Sequence, residues 1–249
     1  MAWVETDSPS FSARHESEDA DAAIEILEAL EDLRERLNGR FDTTPGEVSV
    51  VIHSQPWALA LAHPWLPIAR LLAAPAARRY MAGWFGAGEI HVLAPAALDS
   101  RASRVEGSRE ALMLSPQHEY AHLVVGANND ELPPPFTTRT FARYVRWAWL
   151  CEGAAVHFSG QSRHLRAAIA RRLREGGRPE FPPDVRDAPL LGGTVFGLLE
   201  RERGEAACVE LAIRLDAVGA ASAIARAFGR PAVEVERDWR AYLDTALAS

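Results

Sequence analysis

Apolar positions along this chain recur first at the period of a helix and then at the shorter period of strands. Between residues 19 and 38, Ile24, Ile26, Leu27, Leu30, Leu33 and Leu37 fall at helical spacing and Gly39 follows as a stop, which predicts an amphipathic helix. "GEVSVVIH" (residues 46–53) and "GEIHVLAP" (residues 88–95) are short, rich in Val and Ile and bounded by Gly or Pro, and predict two strands. Between them, residues 57–83 read mainly as helix with breaks at Pro64, Pro67 and Pro75, and residues 96–107 read as a polar connection. A helix ending near Gly126 either starts near Ser108 and kinks at Pro116, or starts afresh with Ser115 as its N-cap and Pro116 in the first turn. A second helix is predicted over residues 138–159, and helical patterns continue over 161–175, 192–203, 205–217, 218–228 and 232–247. Strands come early and helices late, which is an α+β pattern. The expected domain runs from 19 to 249, with a small N-terminal sheet beside the helix near residue 120 and a mostly helical C-terminal part; residues 1–18, polar and acidic, read as a flexible arm.

Composition narrows the function classes. The 249 residues are 48% hydrophobic and 24% charged, which suits a packed core of ordinary size. A net charge of −7 argues against a nucleic-acid surface, which needs clustered basic residues. No run of about 18 apolar residues occurs, so no spanning helix and no membrane partner is expected. The N-terminus has no apolar leader segment, and two cysteines, Cys151 and Cys208, make no disulfide framework; both facts point to the cytoplasm.

The chemistry concentrates in "SPQHEYAH" (residues 115–122). On a helix, His118 and His122 project one turn apart from the same face, where two imidazoles can bind one zinc ion at about 2.0–2.1 Å. Glu119 stands at the edge of that face, placed to take a proton from a metal-activated water. The competing reading is a partly exposed helix carrying unrelated polar residues. A catalytic zinc site needs a third protein ligand, and the downstream candidates are Glu131, Glu152, His157 and His164. Glu152 sits in "WAWLCEGAAVHFSG", an otherwise apolar helix, where an unpartnered carboxylate is costly to bury. Its partner is either a metal ion or one of Arg143 and Arg146.

"HEYAH" followed by "WLCEG-A", with Glu152 30 residues after His122, resembles the gluzincin metallopeptidases, in particular the peptidase MA-like group. The likeness extends over roughly residues 46–247: "AGEIHVLAP" resembles the family's edge strand, and "AFGRPAVEVERDWRAYL" resembles its closing segment. The resemblance implies a zincin-like fold and Zn2+ held by His118, His122 and Glu152. It implies Glu119 as general base, and a peptide or protein substrate. No G-x-M-x-N segment is present, so the implied activity is endopeptidase-like. The chain departs from the pattern at Leu190, where relatives carry an oxyanion-stabilising tyrosine; His157 is a candidate donor or a packed side chain, with Tyr144 and Tyr120 as weaker candidates. The missing tyrosine keeps open a second class, a catalytically silent zincin-fold protein that serves as a binding or regulatory module.

Overall fold

A computed structural model describes residues 2–62, 65–175 and 177–248, with side chains described as far as residue 245. His63 and Pro64, and with them one of the expected helix breaks, lie outside the described residues. The elements in chain order are β1 (Trp3–Asp7), β2 (Phe11–Glu16), α1 (Ala20–Leu37), β3 (Val48–His53), α2 (Pro56–Ala62), α3 (Trp65–Leu72) and α4 (Pro75–Arg78). They continue with β4 (Gly83–Phe85), β5 (Glu89–Leu93), α5 (Pro95–Arg101), α6 (Ser108–Met113), α7 (Ser115–Ala127), α8 (Thr138–Arg146) and α9 (Ala148–Phe158). After a short turn at Gln161–His164 come α10 (Arg166–Glu175), α11 (Ala188–Arg203), α12 (Glu205–Ile213), α13 (Ala220–Phe228) and α14 (Ala232–Ala248). The architecture is α+β, with a five-stranded mixed sheet at the N-terminal end and helices thereafter. Among the described residues no helix is long and apolar enough to cross a membrane.

The first correction concerns the N-terminus. Residues 1–18 are not an arm where described: β1 and β2 form an antiparallel pair, and β2 then runs parallel to β3. The cause is a period-2 alternation in "FSARHE", which turns Phe11, Ala13 and His15 into the core and Ser12, Arg14 and Glu16 away from it. The buried His15 is satisfied by Thr6 Oγ1 (2.9 Å) and the carbonyl of Glu16 (2.8 Å). The second correction is at the sheet edge. The strand order is β1-β2-β3-β5-β4, so "GEIHVLAP" lies inside the sheet and the three-residue β4, unpredicted, forms the edge. Residues 96–107 are likewise not wholly a connection, since α5 is a helix opened by Pro95 in its first turn. The helix predicted over 138–159 is two, broken at Trp147, whose backbone (φ −110°, ψ 24°) leaves the helical region.

Of the two starts considered for the motif helix, the second holds in essentials: α6 ends, Leu114 interrupts, and α7 begins with Pro116 in its first turn. The N-cap position is Leu114, and Ser115 Oγ instead donates back to the carbonyl of Leu112 at 2.6 Å. α7 is buried along nearly its whole length, between the sheet, α1 and α9. Tyr120 fixes it to the sheet side: its ring meets Phe11 edge-on at 5.1 Å and its hydroxyl donates to the carbonyl of Pro45 at 2.7 Å.

α9 packs directly on α11. Gly153 of α9 and Gly192 of α11 face each other, and a Cβ on Gly153 would stand 2.7 Å from backbone atoms of Gly192. A Cβ on Gly192 would stand 2.7 Å from the carbonyl oxygen of Trp149. Neither neighbour is a flexible side-chain end, so the two backbones have to separate to admit a methyl group. Alanine gains about 1 kcal/mol of helix propensity over glycine, and overpacking costs about 1–3 kcal/mol. Gly153→Ala is therefore expected to lower the melting temperature by several degrees in a thermal scan, and a rise would show that the helices are not in backbone contact.

Candidate metal centre

Three side chains from two helices converge. His118 and His122 project from α7, and Glu152 projects from α9 across their interface. The two imidazole Nε2 atoms are 3.1 Å apart; Glu152 Oε2 is 3.6 Å from His118 Nε2, and Glu152 Oε1 is 3.4 Å from His122 Nε2. The two imidazoles meet different oxygens of the carboxylate, and one ligand atom from each of the three residues lies within 4.8 Å of the others. Ligands bound at 2.0–2.1 Å around a tetrahedral ion stand about 3.3 Å from one another. Two imidazole nitrogens and one carboxylate are also a zinc-type donor set, and no fourth His, Cys, Asp or Glu joins the cluster among the described residues. The residues present therefore fit a single metal cation held by two imidazoles and a carboxylate.

α7 is an interior helix, with Glu119 and His122 only 6% and 5% exposed, so its polar residues do not serve a wet surface. Among the described residues neither arginine pairs with Glu152: Arg143 pairs with Glu131 at 3.0 Å, and Arg146 is exposed. Glu131 and His164 are not in the cluster. Cys151 is buried and unpaired, and burial pushes its thiol well above the usual range. Cys208 is buried too, its thiol pushed up to about 12 by burial.

Gln161 is the residue that pattern reading missed. Its Oε1 accepts from His118 Nδ1 at 2.8 Å, while its Nε2 donates to the carbonyl of Ala111 at 2.7 Å. The second bond fixes which end of the amide faces the histidine. His118 thus keeps its proton on Nδ1 and turns an Nε2 lone pair toward His122 and Glu152. Nothing in the sequence marked Gln161, because it lies 43 residues from His118 in a short turn.

The donor expected at the site also changes. His157 is five residues beyond Glu152, about 140° further round the helix, and it packs on Phe158 and Phe196 (5.0 and 5.7 Å between ring centroids). Together with the buried Leu190 it lines a separate cavity of about 400 Å³, so neither reaches the cluster. Tyr120 is engaged with Pro45 on the other side of α7. Tyr144 is the side chain that arrives: its hydroxyl donates to Glu152 Oε1, and its ring lies 6.4 Å from that of His122.

A cavity of about 20 Å³ opens beside the three ligating groups, lined also by Glu119, Tyr80 and Tyr144. That volume admits one water-sized species. The strand β4 closes it. Phe85 stacks on His122 at 4.4 Å and 13°, and Gly83 lies so close to Glu119 that a Cβ there would be 2.5 Å from Oε1. Burial raises the Glu119 carboxyl to about 8, against the opposing pull of His118, with Glu152 adding to the rise and Arg70 opposing it. Burial also acts to raise Glu152, but the hydrogen bonds and charge of His118 and His122 outweigh it and hold that carboxyl well below the usual range. Burial works against protonation of both imidazoles; it prevails at His122, whereas at His118 the contact with Glu152 prevails and the pKa rises. No family model, curated protein or solved structure matches the chain.

Gln161→Met removes the acceptor at about constant volume. It is expected to weaken zinc binding by about 10- to 100-fold in competition with a chelating dye; unchanged affinity would show that Gln161 does not orient His118.

Proposed function

We propose that this protein is a zinc-dependent metallopeptidase, built on a zincin-like plan and similar to the gluzincins that "HEYAH" and "WLCEG" resemble. The observation that carries the proposal is the pairing of a His/His/Glu cluster, suited to one metal ion, with a second carboxyl, Glu119, on the same water-sized cavity. A closed structural zinc site has four protein ligands, whereas three and a base beside an open position suit hydrolysis. When bound, zinc supplies Lewis-acid polarisation of a carbonyl and activation of a water. Glu119 accepts the proton released as that water attacks, and returns it to the departing amine of the peptide. His118, His122 and Glu152 hold the ion, Gln161 orients His118, and Tyr144 holds the Glu152 carboxylate and presents a hydroxyl to the cavity. We place the activity in the cytoplasm on a peptide or protein substrate, with no nucleic-acid partner, which agrees with the charge of −7 and the two free, buried cysteines.

A second reading, a zinc-binding module without turnover, is favoured by one observation: a cavity of about 20 Å³ under Gly83 and Phe85 has no room for a peptide. Turnover therefore requires β4 to move. Metal analysis with a mixed-peptide cleavage assay separates the two readings. Wild type and Glu119→Gln are both expected to hold one zinc per chain, with cleavage lost by at least about 100-fold in the variant. Bound zinc with no Glu119-dependent cleavage would establish the silent module; zinc lost from Glu119→Gln but kept by Glu152→Ala would overturn the assignment of roles. Gly83→Ala forces the Glu119 carboxyl aside without touching a ligand, and is expected to keep the metal and lose at least about tenfold in kcat. Full activity in that variant would mean that Glu119 is not held at its working position by β4.

A further inference from the structure

Helix α2 is apolar around its whole circumference, and α3 is apolar but for one side chain. Their sequences are "PWALALA" and "WLPIARLL", with Arg70 the single charged side chain in the two. Each buries one side, through Leu59 in α2 and through Leu66 and Ala69 in α3. The remainder faces water: Trp57 is 66% exposed, Leu61 77%, Ile68 43% and Leu71 73%. Largely apolar helices belong in a core or against a membrane, and large apolar side chains left exposed on them suit a binding surface.

Charge identifies the occupant. Residues 48–88 contain no Asp or Glu and three arginines, in a chain whose net charge is −7. Arg78 lies against the end of α3, its Nη2 donating to the carbonyl of the exposed Leu71 at 3.2 Å. Arg101 donates to the carbonyls of Arg78 and Arg79 at 3.0 and 3.1 Å, and Arg79 donates back to Arg101 at 3.1 Å. Three guanidinium groups are thus gathered beside the apolar surface, and among the described residues none of them forms an ion pair with a carboxylate. A second copy of the chain is disfavoured, because a two-fold contact through this surface would set arginine against arginine. An anionic lipid surface satisfies both features: Trp, Leu and Ile enter the headgroup–acyl boundary, and arginines meet lipid phosphates.

We infer that residues 57–62 and 65–79 dock this protein on a bilayer carrying anionic phospholipids, with Trp57, Leu61, Ile68 and Leu71 inserting and Arg78, supported by Arg79 and Arg101, contacting phosphate. No run of the chain is apolar and long enough to span a membrane, but docking at the interface needs no span. The docking stretch continues directly into β4, whose Gly83 and Phe85 cover Glu119 and His122. Docking is independent of the proposed peptidase activity, since no step in it uses the metal.

Vesicle flotation of the full chain tests it, comparing phosphatidylcholine alone with phosphatidylcholine plus phosphatidylglycerol. Wild type is expected to float with the anionic vesicles and to be released by salt. Arg78→Ala is expected to weaken binding about fivefold, and Leu61→Asp/Leu71→Asp to reduce it to background, with circular dichroism unchanged. If the double variant fails to fold, Arg78→Ala and the salt series still decide. Wild type that stays unbound with both vesicles would overturn the inference. So would equal binding to neutral and anionic vesicles, or a dimer dissolved by Leu61→Asp/Leu71→Asp without vesicle binding.

Discussion

A carboxylate placed inside an apolar helix must be compensated, and the arrangement around Glu152 is organised by that requirement. Its neighbours on α9 are Trp149, Leu150, Ala154, Ala155 and Val156, all buried, so solvation has to come from across the interface. Two imidazoles and a tyrosine hydroxyl provide it. Removing one partner of such a buried group leaves an uncompensated charge, which costs far more than the contact itself contributes. The helices around it follow from the same constraint. Gly153 and Gly192 let α9 sit directly on α11, Tyr120 fixes α7 to the sheet, and Gln161 sets the orientation of His118.

Two nitrogens 3.1 Å apart cannot both present lone pairs to each other without something positive between them. Either a proton or a cation satisfies them, and the contact with Glu152 raises the pKa of His118 despite burial. The proposed zinc ion would take the place of that proton. Glu119 then faces a different environment from Glu152 although both are buried: the strand β4 covers Glu119, whereas the Tyr144 hydroxyl donates to Glu152. Two carboxyl groups pushed to opposite sides of the ordinary range, one below it and one up to about 8, are suited to different work, the first to holding an ion and the second to moving a proton.

Much of this was legible in the amino-acid order, because it depends on spacing within one helix or on burial cost. His118 and His122 at i and i+4, and an acid in the middle of "WAWLCEGAAVHFSG", each carry their meaning locally. The long amphipathic α1 and the two Val- and Ile-rich strands were legible for the same reason. What was not legible depends on contacts far apart in sequence. Tyr144 and Gln161 reach the site only because Trp147 breaks the helix ahead of α9 and a turn follows it. His157 was a plausible donor by proximity to Glu152, but helical rotation carries it to the opposite cavity. The strand β4 is three residues long, too short for any periodicity, and the β2 alternation was masked by the acidic, polar character of residues 1–18.

The central claim is that His118, His122 and Glu152 bind one zinc ion tetrahedrally. X-ray absorption at the zinc edge of the metal-loaded protein reads that coordination shell directly. The account predicts two imidazole nitrogens and light oxygen scatterers at about 2.0–2.1 Å, four ligands in all. A sulfur shell near about 2.3 Å, or a six-coordinate shell without imidazole scattering, would contradict it.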